Sequence, residues 1–200
     1  MMEQYINKIT SPYALLVVSI VILLIGRVVF KKTYLNIFDI IIKHIECYKK
    51  TDGRYSVVSL TLYYVVPALI AWSLIQIKQL DSNVVNILTV IISILTSMLF
   101  TMLTLIIDMR KRIVKDEQYN ANEASVSAKV LRETYYSIMF EILICILILM
   151  MCFIELFSSS YTLYASFVIY YLVFVLLMNL LMVLKRIFKV IDYDMKVTDR

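Results

Sequence analysis

The stretch Ser82-NVVNILTVIISILTSMLFTMLTLII-Asp108 carries no charged residue before its last position. A helix that crosses a bilayer needs about 20 mostly apolar residues at ~1.5 Å rise each, so this stretch alone predicts a transmembrane helix. Its few polar residues are ordered. Ser82, Asn86, Thr89, Ser93, Ser97, Thr101, Thr104 and Asp108 recur at steps of three and four, which places them near one helical face, with Asn83 and Thr96 off it.

Outward from this segment the same reading gives five spans, at about 13–30, 55–77, 84–107, 136–157 and 161–184. The fourth is interrupted only by Glu141 and Glu155, and the first is short and holds Arg27, whose guanidinium can snorkel toward Lys31 and Lys32. A cleaved secretory signal is the alternative for 13–30, but its positive charges would precede the apolar run rather than follow it. The composition agrees: 62% of the 200 residues are apolar and 18% charged, against about a quarter charged in a soluble domain. The expected fold is an all-α integral membrane protein forming a single membrane domain over 1–200.

Basic residues resist translocation, so their distribution sets the orientation. Of 20 Lys and Arg, only Lys8 and Lys78 lie outside the segments 27–54, 108–135 and 185–200. Those segments are expected to be cytoplasmic, with the N-terminus outside and the C-terminus inside. Within 31–54, Asn36, Asp39, Lys43, Glu46 and Lys50 oppose Tyr34, Ile37, Phe38, Ile41, Ile45 and Tyr48. This reads as a cytoplasmic amphipathic helix, on the inner leaflet or docked on the bundle. Segment 108–135 reads as a helical hairpin extending the third and fourth spans, divided near Asn120 and Asn122. The basic runs after the third and fifth spans, Lys111-Arg112-Ile113-Val114-Lys115 and Lys185-Arg186-Ile187-Phe188-Lys189, form a faint internal repeat.

Glycine is confined to Gly26 and Gly53, which excludes phosphate loops, dinucleotide fingerprints and glycine-zipper dimers. One histidine and three cysteines leave little for metal or thiol chemistry. His44 and Cys47 stand one helical turn apart, but two ligands do not make a zinc site. No nucleophile and base are placed together, so no enzymatic activity, cofactor or metal is expected.

Three features carry the candidate function. The face of Thr89, Ser93, Ser97, Thr101, Thr104 and Asp108 suits close helix packing through hydroxyls, or a hydroxyl-lined pore in an oligomer, closed at the cytoplasmic end by Asp108. Arg27, Glu141 and Asn179 are expected in the cytoplasmic third of the bilayer, where a charge costs a few kcal/mol unless paired. They read as a packing lock, with Glu141 as a proton or cation site the alternative. Pro67 in the second span is expected to kink or hinge it.

The expectation is a homo-oligomeric membrane protein acting as a pore-forming effector or as a sensor or anchor for a soluble cytoplasmic partner. The rival is a small ion or small-molecule transporter. The lipid bilayer is the first partner, and nucleic-acid binding is not expected. In size and topology the chain is similar to small membrane subunits of bacterial anti-phage systems such as Kiwa. That likeness implies an inner-membrane defence setting and transfers no residue.

The orientation is checked by reporter fusions. Alkaline phosphatase fused after Lys78 should be active and a fusion after Glu117 inactive; the reverse pattern would invert the topology.

Overall fold

The computed structural model describes residues 18, 21, 37–49, 56–115, 121–157 and 162–198. The chain divides into Met1–Asp39 and Ile40–Arg200. Of the first unit, Val18 and Val21 are helical and exposed, and Ile37–Asp39 begin a helix. The predicted span 13–30, Arg27 included, otherwise lies outside the described residues.

The described residues are helical with no strand. Helix α1 is Ile37–Glu46. Helix α2 is a continuous run of Val57–Leu60, a π-helical turn Thr61–Val65 and Val66–Ile77. Helices α3, Ser82–Lys115, α4, Ala121–Glu155, and α5, Leu163–Thr198, each contain a segment long and apolar enough to cross a membrane. All three extend beyond the apolar stretches into the charged segments. On α3 and α4 these extensions flank residues 116–120, where the sequence predicts a helical hairpin. The tail after 184 continues α5.

Pro67 explains the irregularity of α2. Its ring has no N–H and crowds the carbonyl four residues earlier, that of Tyr63. The π turn at Thr61–Val65 contains that residue and ends just before Pro67. Widening the helix by one residue per turn is a recognised way to accommodate such a conflict.

Each long helix is packed by a heptad of apolar residues. Val85, Ile92, Leu99 and Ile106 of α3 are almost fully buried, as are Leu131, Ile138, Cys145 and Cys152 of α4 and Ile169, Leu176 and Val183 of α5. A seven-residue repeat keeps one seam facing its neighbour along near-parallel helices. Half of the apolar window of α4 is buried, against 33% for α5 and 17% for α3, so α4 is the central helix. It packs between α3 and α5, and α2 packs on the other side of α5.

The turn between α2 and α3 is tied down at both ends. Asp81 caps α3 by accepting the Val84 amide at 2.8 Å and pairs with Lys78 at 2.9 Å. The amide hydrogen bond, then Lys78, hold its carboxyl below the usual range. The Leu80 amide donates to Ser166 Oγ, and the Tyr170 hydroxyl donates to the Lys78 carbonyl at 3.3 Å. Both partners are on α5, which fixes the α2–α3 turn over the start of that helix.

Two neighbouring residues on α3 separate packing from mere apolarity. Leu99 is fully buried, whereas Met98 is 58% exposed. Leu99→Ala is expected to cost about 2 kcal/mol or more through lost contacts and a cavity, and Met98→Ala less than about 0.5 kcal/mol. Reversible unfolding in mixed micelles measures both, and equal effects would contradict the assignment of the seam.

Candidate functional site

The site is built where the end of α1 meets α4 and α5. From Ile40 onward α1 lies against the bundle, with Ile40 and Ile41 packed on the core and His44 fully buried. The His44 ring stacks on Phe140 of α4, with centroids 4.0 Å apart and planes 9° from parallel. One turn later the backbone leaves the helix, and Tyr48 turns its hydroxyl inward to Asn179 of α5.

The hydrogen bonds of this cluster fix its protonation. The Tyr48 hydroxyl donates its one proton to Asn179 Oδ1 at 2.8 Å and stands 3.2 Å from His44 Nε2. With that proton committed, Tyr48 Oη accepts from Nε2–H, which selects the neutral tautomer with Nδ1 unprotonated. Nδ1 is buried without a hydrogen-bond partner among the described residues. Asn179 Nδ2 donates to the Val175 carbonyl of its own helix at 2.9 Å. His44, Tyr48 and Asn179 thus form a polar clasp in an otherwise apolar seam.

Arg186, two helical turns beyond Asn179 on α5, closes the side of the clasp toward the C-terminal end of that helix. Its guanidinium donates to Ser137 Oγ at 3.0 Å and lies 3.8 Å from Glu133, both on α4. Ser137 Oγ also donates to the Glu133 carbonyl. Cys47 sits beside this pair, its thiol 3.2 Å from the Lys43 carbonyl and 3.9 Å from that of Glu133. Burial pushes the Cys47 thiol up, while Arg186 pulls it back. A cavity of about 460 Å³ leads to the clasp from this side, with Tyr48, Glu133 and Arg186 among its walls.

Burial pushes the His44 imidazole down to about 3, and the Arg186 charge works in the same direction, with the nearby Asn179 amide opposing them. A histidine with a depressed pKa destabilises the docked state as pH falls, because only the undocked ring takes up the proton. The contribution is fully present above about 6.5 and is lost progressively down to about 3.

Of the residues singled out in the sequence, Glu141 and Asn179 are both fully buried. Neither carboxyl oxygen of Glu141 has a hydrogen-bond partner among the described residues. The proposed partner Arg27 lies outside them. Pro67 is buried within α2, next to the π turn.

The hydroxyl face of α3 divides. Thr89 is half-buried beside Cys152 of α4, as Thr96, which the spacing had set aside, is beside Cys145, and the two hydroxyls donate to the Val85 and Ile92 carbonyls of their own helix at 2.8 and 2.6 Å. Ser93, Ser97, Thr101, Thr104 and Asp108 are exposed on the single chain. Among the described residues they therefore do not make the contacts between helices of one chain. Ser93, Thr101 and Thr104 likewise donate to carbonyls of their own helix, at 2.7, 3.2 and 2.7 Å. Such back-bonding satisfies the hydroxyl without water. Asp108 pairs with Lys111 at 3.6 Å. No group of three or more His, Cys, Asp or Glu that could hold a metal occurs among the described residues.

His44, Tyr48, Phe140 and Arg186 were not singled out as site residues from the sequence. A faint signal exists: His44 and Tyr48 are four apart on one helix face, and Asn179 is isolated in an apolar run. Comparison with known protein families, curated proteins and solved structures finds no match to this chain.

The pH dependence of docking tests the clasp. Protection of the Ile41–Glu46 amides from hydrogen exchange, corrected for intrinsic rates, should weaken from pH 6.5 toward pH 4 by up to roughly 1.4 kcal/mol per pH unit. His44→Asn should lose this slope. A slope that persists in the variant would place the titrating group elsewhere.

Proposed function

We propose that this chain is a non-enzymatic multi-pass protein of the bacterial cytoplasmic membrane. It works as a sensor or anchor, passing the state of its membrane bundle to a soluble cytoplasmic partner through α1. One observation carries the reading: the amphipathic helix is held to the bundle by a specific polar clasp, His44 and Tyr48 on Phe140 and Asn179.

Apolar contact alone would hold such a helix at a membrane surface in many registers. A buried hydrogen-bonded cluster selects one register and makes departure from it costly, because Asn179 would be left without its partner in a water-poor environment. That is the physics of a two-state element. The docked state leaves Ile42, Lys43 and Glu46 exposed on the far side of α1, where a soluble protein can grip them. The cavity beside Tyr48 gives a cytoplasmic solute or partner a route to the clasp. The concentration of Lys and Arg in the proposed cytoplasmic segments supports this orientation, and the likeness in size and topology to anti-phage membrane subunits fits a defence setting.

A second reading is favoured by a separate observation. The exposed Ser93, Ser97, Thr101 and Thr104 form a face that an oligomer would turn toward a central axis, giving a pore-forming effector. Because Ser93, Thr101 and Thr104 are satisfied within their own helix, lipid contact accounts for the face equally well, so the clasp carries more weight.

The two readings part in reconstituted vesicles and in cells. As a sensor, the wild-type protein should leave entrapped K⁺ and a small anionic dye retained as in empty vesicles. A photo-crosslinker at Ile42 should capture one soluble protein in cells, with a yield that Asn179→Ala alters. Efflux through the wild type that Ser97→Phe blocks, with no change in crosslinking on Asn179→Ala, would replace the sensor by the pore.

A further inference from the structure

We infer that the cytoplasmic mouth of the α3–α4 pair is a binding site for one anionic glycerophospholipid, its phosphodiester held by Arg110 and Arg132. The inference rests on membrane embedding of α3 and α4 and is independent of the sensor reading. A groove of about 710 Å³ opens between the two helices, lined by Ile106, Ile107, Arg110, Arg132, Tyr135 and Tyr136, with Lys111 and Leu131 completing it.

Its chemistry is graded along its length. The floor is apolar, with Ile106 and Leu131 buried in the core cluster. Ile107 ends the uncharged run of α3 and Tyr136 begins the predicted span of α4, so the groove crosses the level where hydrocarbon gives way to headgroups. Tyrosines favour that depth, since their rings are apolar and their hydroxyls wet. Above them stand the exposed guanidiniums of Arg110 and Arg132, which make no ion pair among the described residues. Lys111 is partly neutralised by Asp108 at 3.6 Å, and Lys43 covers the Tyr136 ring at 5.4 Å. Two guanidiniums facing one groove offer paired donors in the geometry that suits phosphate oxygens.

Charge and shape together choose the occupant. A soluble phosphate would use the arginines and leave the apolar floor idle. A phosphatidylcholine would bring a quaternary ammonium against an already basic rim. An anionic lipid such as phosphatidylglycerol satisfies both halves, with its phosphate on Arg110 and Arg132 and an acyl chain along Ile106, Ile107 and Leu131.

Native mass spectrometry of the full chain, released from detergent with equimolar phosphatidylglycerol and phosphatidylcholine, tests the site. The wild type should retain one phosphatidylglycerol in clear preference, and Arg110→Gln with Arg132→Gln should reduce that retention roughly thirtyfold, at about fivefold per basic side chain. Lys185→Gln with Lys189→Gln, which removes the same charge from α5, should leave it unchanged. Equal loss in the lysine variant would show diffuse attraction and overturn the site, as would equal retention of the two lipids by the wild type. Displacement of the lipid by millimolar inorganic phosphate would overturn the lipid assignment in favour of a free anion. Should the arginine variant not fold, the wild-type thermal midpoint decides: it should rise with phosphatidylglycerol and not with phosphatidylcholine or inorganic phosphate, and an equal response to all three would contradict the proposal.

Discussion

Inside a bilayer there is no water to complete a hydrogen bond, and the polar groups of this chain are arranged around that constraint. Helices satisfy their own backbone, so the apolar stretches become helices. The exposed hydroxyls of Ser93, Thr101 and Thr104 return to carbonyls of α3, which lets that face meet lipid. Where α1 joins the bundle, its two inward polar side chains cannot return to their own backbone. They meet each other and Asn179 instead. The clasp is therefore the place where the amphipathic helix α1 becomes part of the bundle.

The same constraint links the clasp to its surroundings. Neutral His44 suits a stack on Phe140, whereas a charged ring there would need a counter-ion that Arg186 makes still harder to supply. Arg186 is itself held by Ser137 and Glu133 on α4, so movement of α5 against α4 alters the field at His44 and the packing around Cys47. Glu141 is buried on α4 with neither carboxyl oxygen hydrogen-bonded among the described residues.

The long helices were legible because length and uncharged composition are local properties: Ser82–Ile107 needs no partner to be read as a span. The existence of α1 was legible for the same reason, from its apolar spacing. The inward role of His44 was not, since an imidazole counts as polar in any periodicity and its partners Phe140 and Asn179 stand some hundred residues away in sequence. The face of α3 shows what spacing leaves open. Its hydroxyl spacing marks one side of a helix, yet spacing does not say what that side meets. The side meeting α4 is the apolar heptad of Val85, Ile92, Leu99 and Ile106, with Thr96, off the stripe, beside Cys145 of α4. Pro67 signalled a break in α2, and the π turn ahead of it is the form that break takes.

The native cysteines offer the most direct test of the clasp, since Cys145 and Cys152 are buried in the α3–α4 seam and Cys47 lies beside Tyr48. Mass-resolved labelling of the three thiols by a water-soluble maleimide, in vesicles at pH 7.5, reads docking of α1 without any introduced probe. Slow modification of Cys47 is expected in the wild type, with an acceleration of about tenfold in Tyr48→Phe, equivalent to about 1.4 kcal/mol for a lost buried hydrogen bond, and no labelling of Cys145 or Cys152 in either. Modification of wild-type Cys47 as fast as in the denatured chain, unchanged by Tyr48→Phe, would contradict a clasped α1.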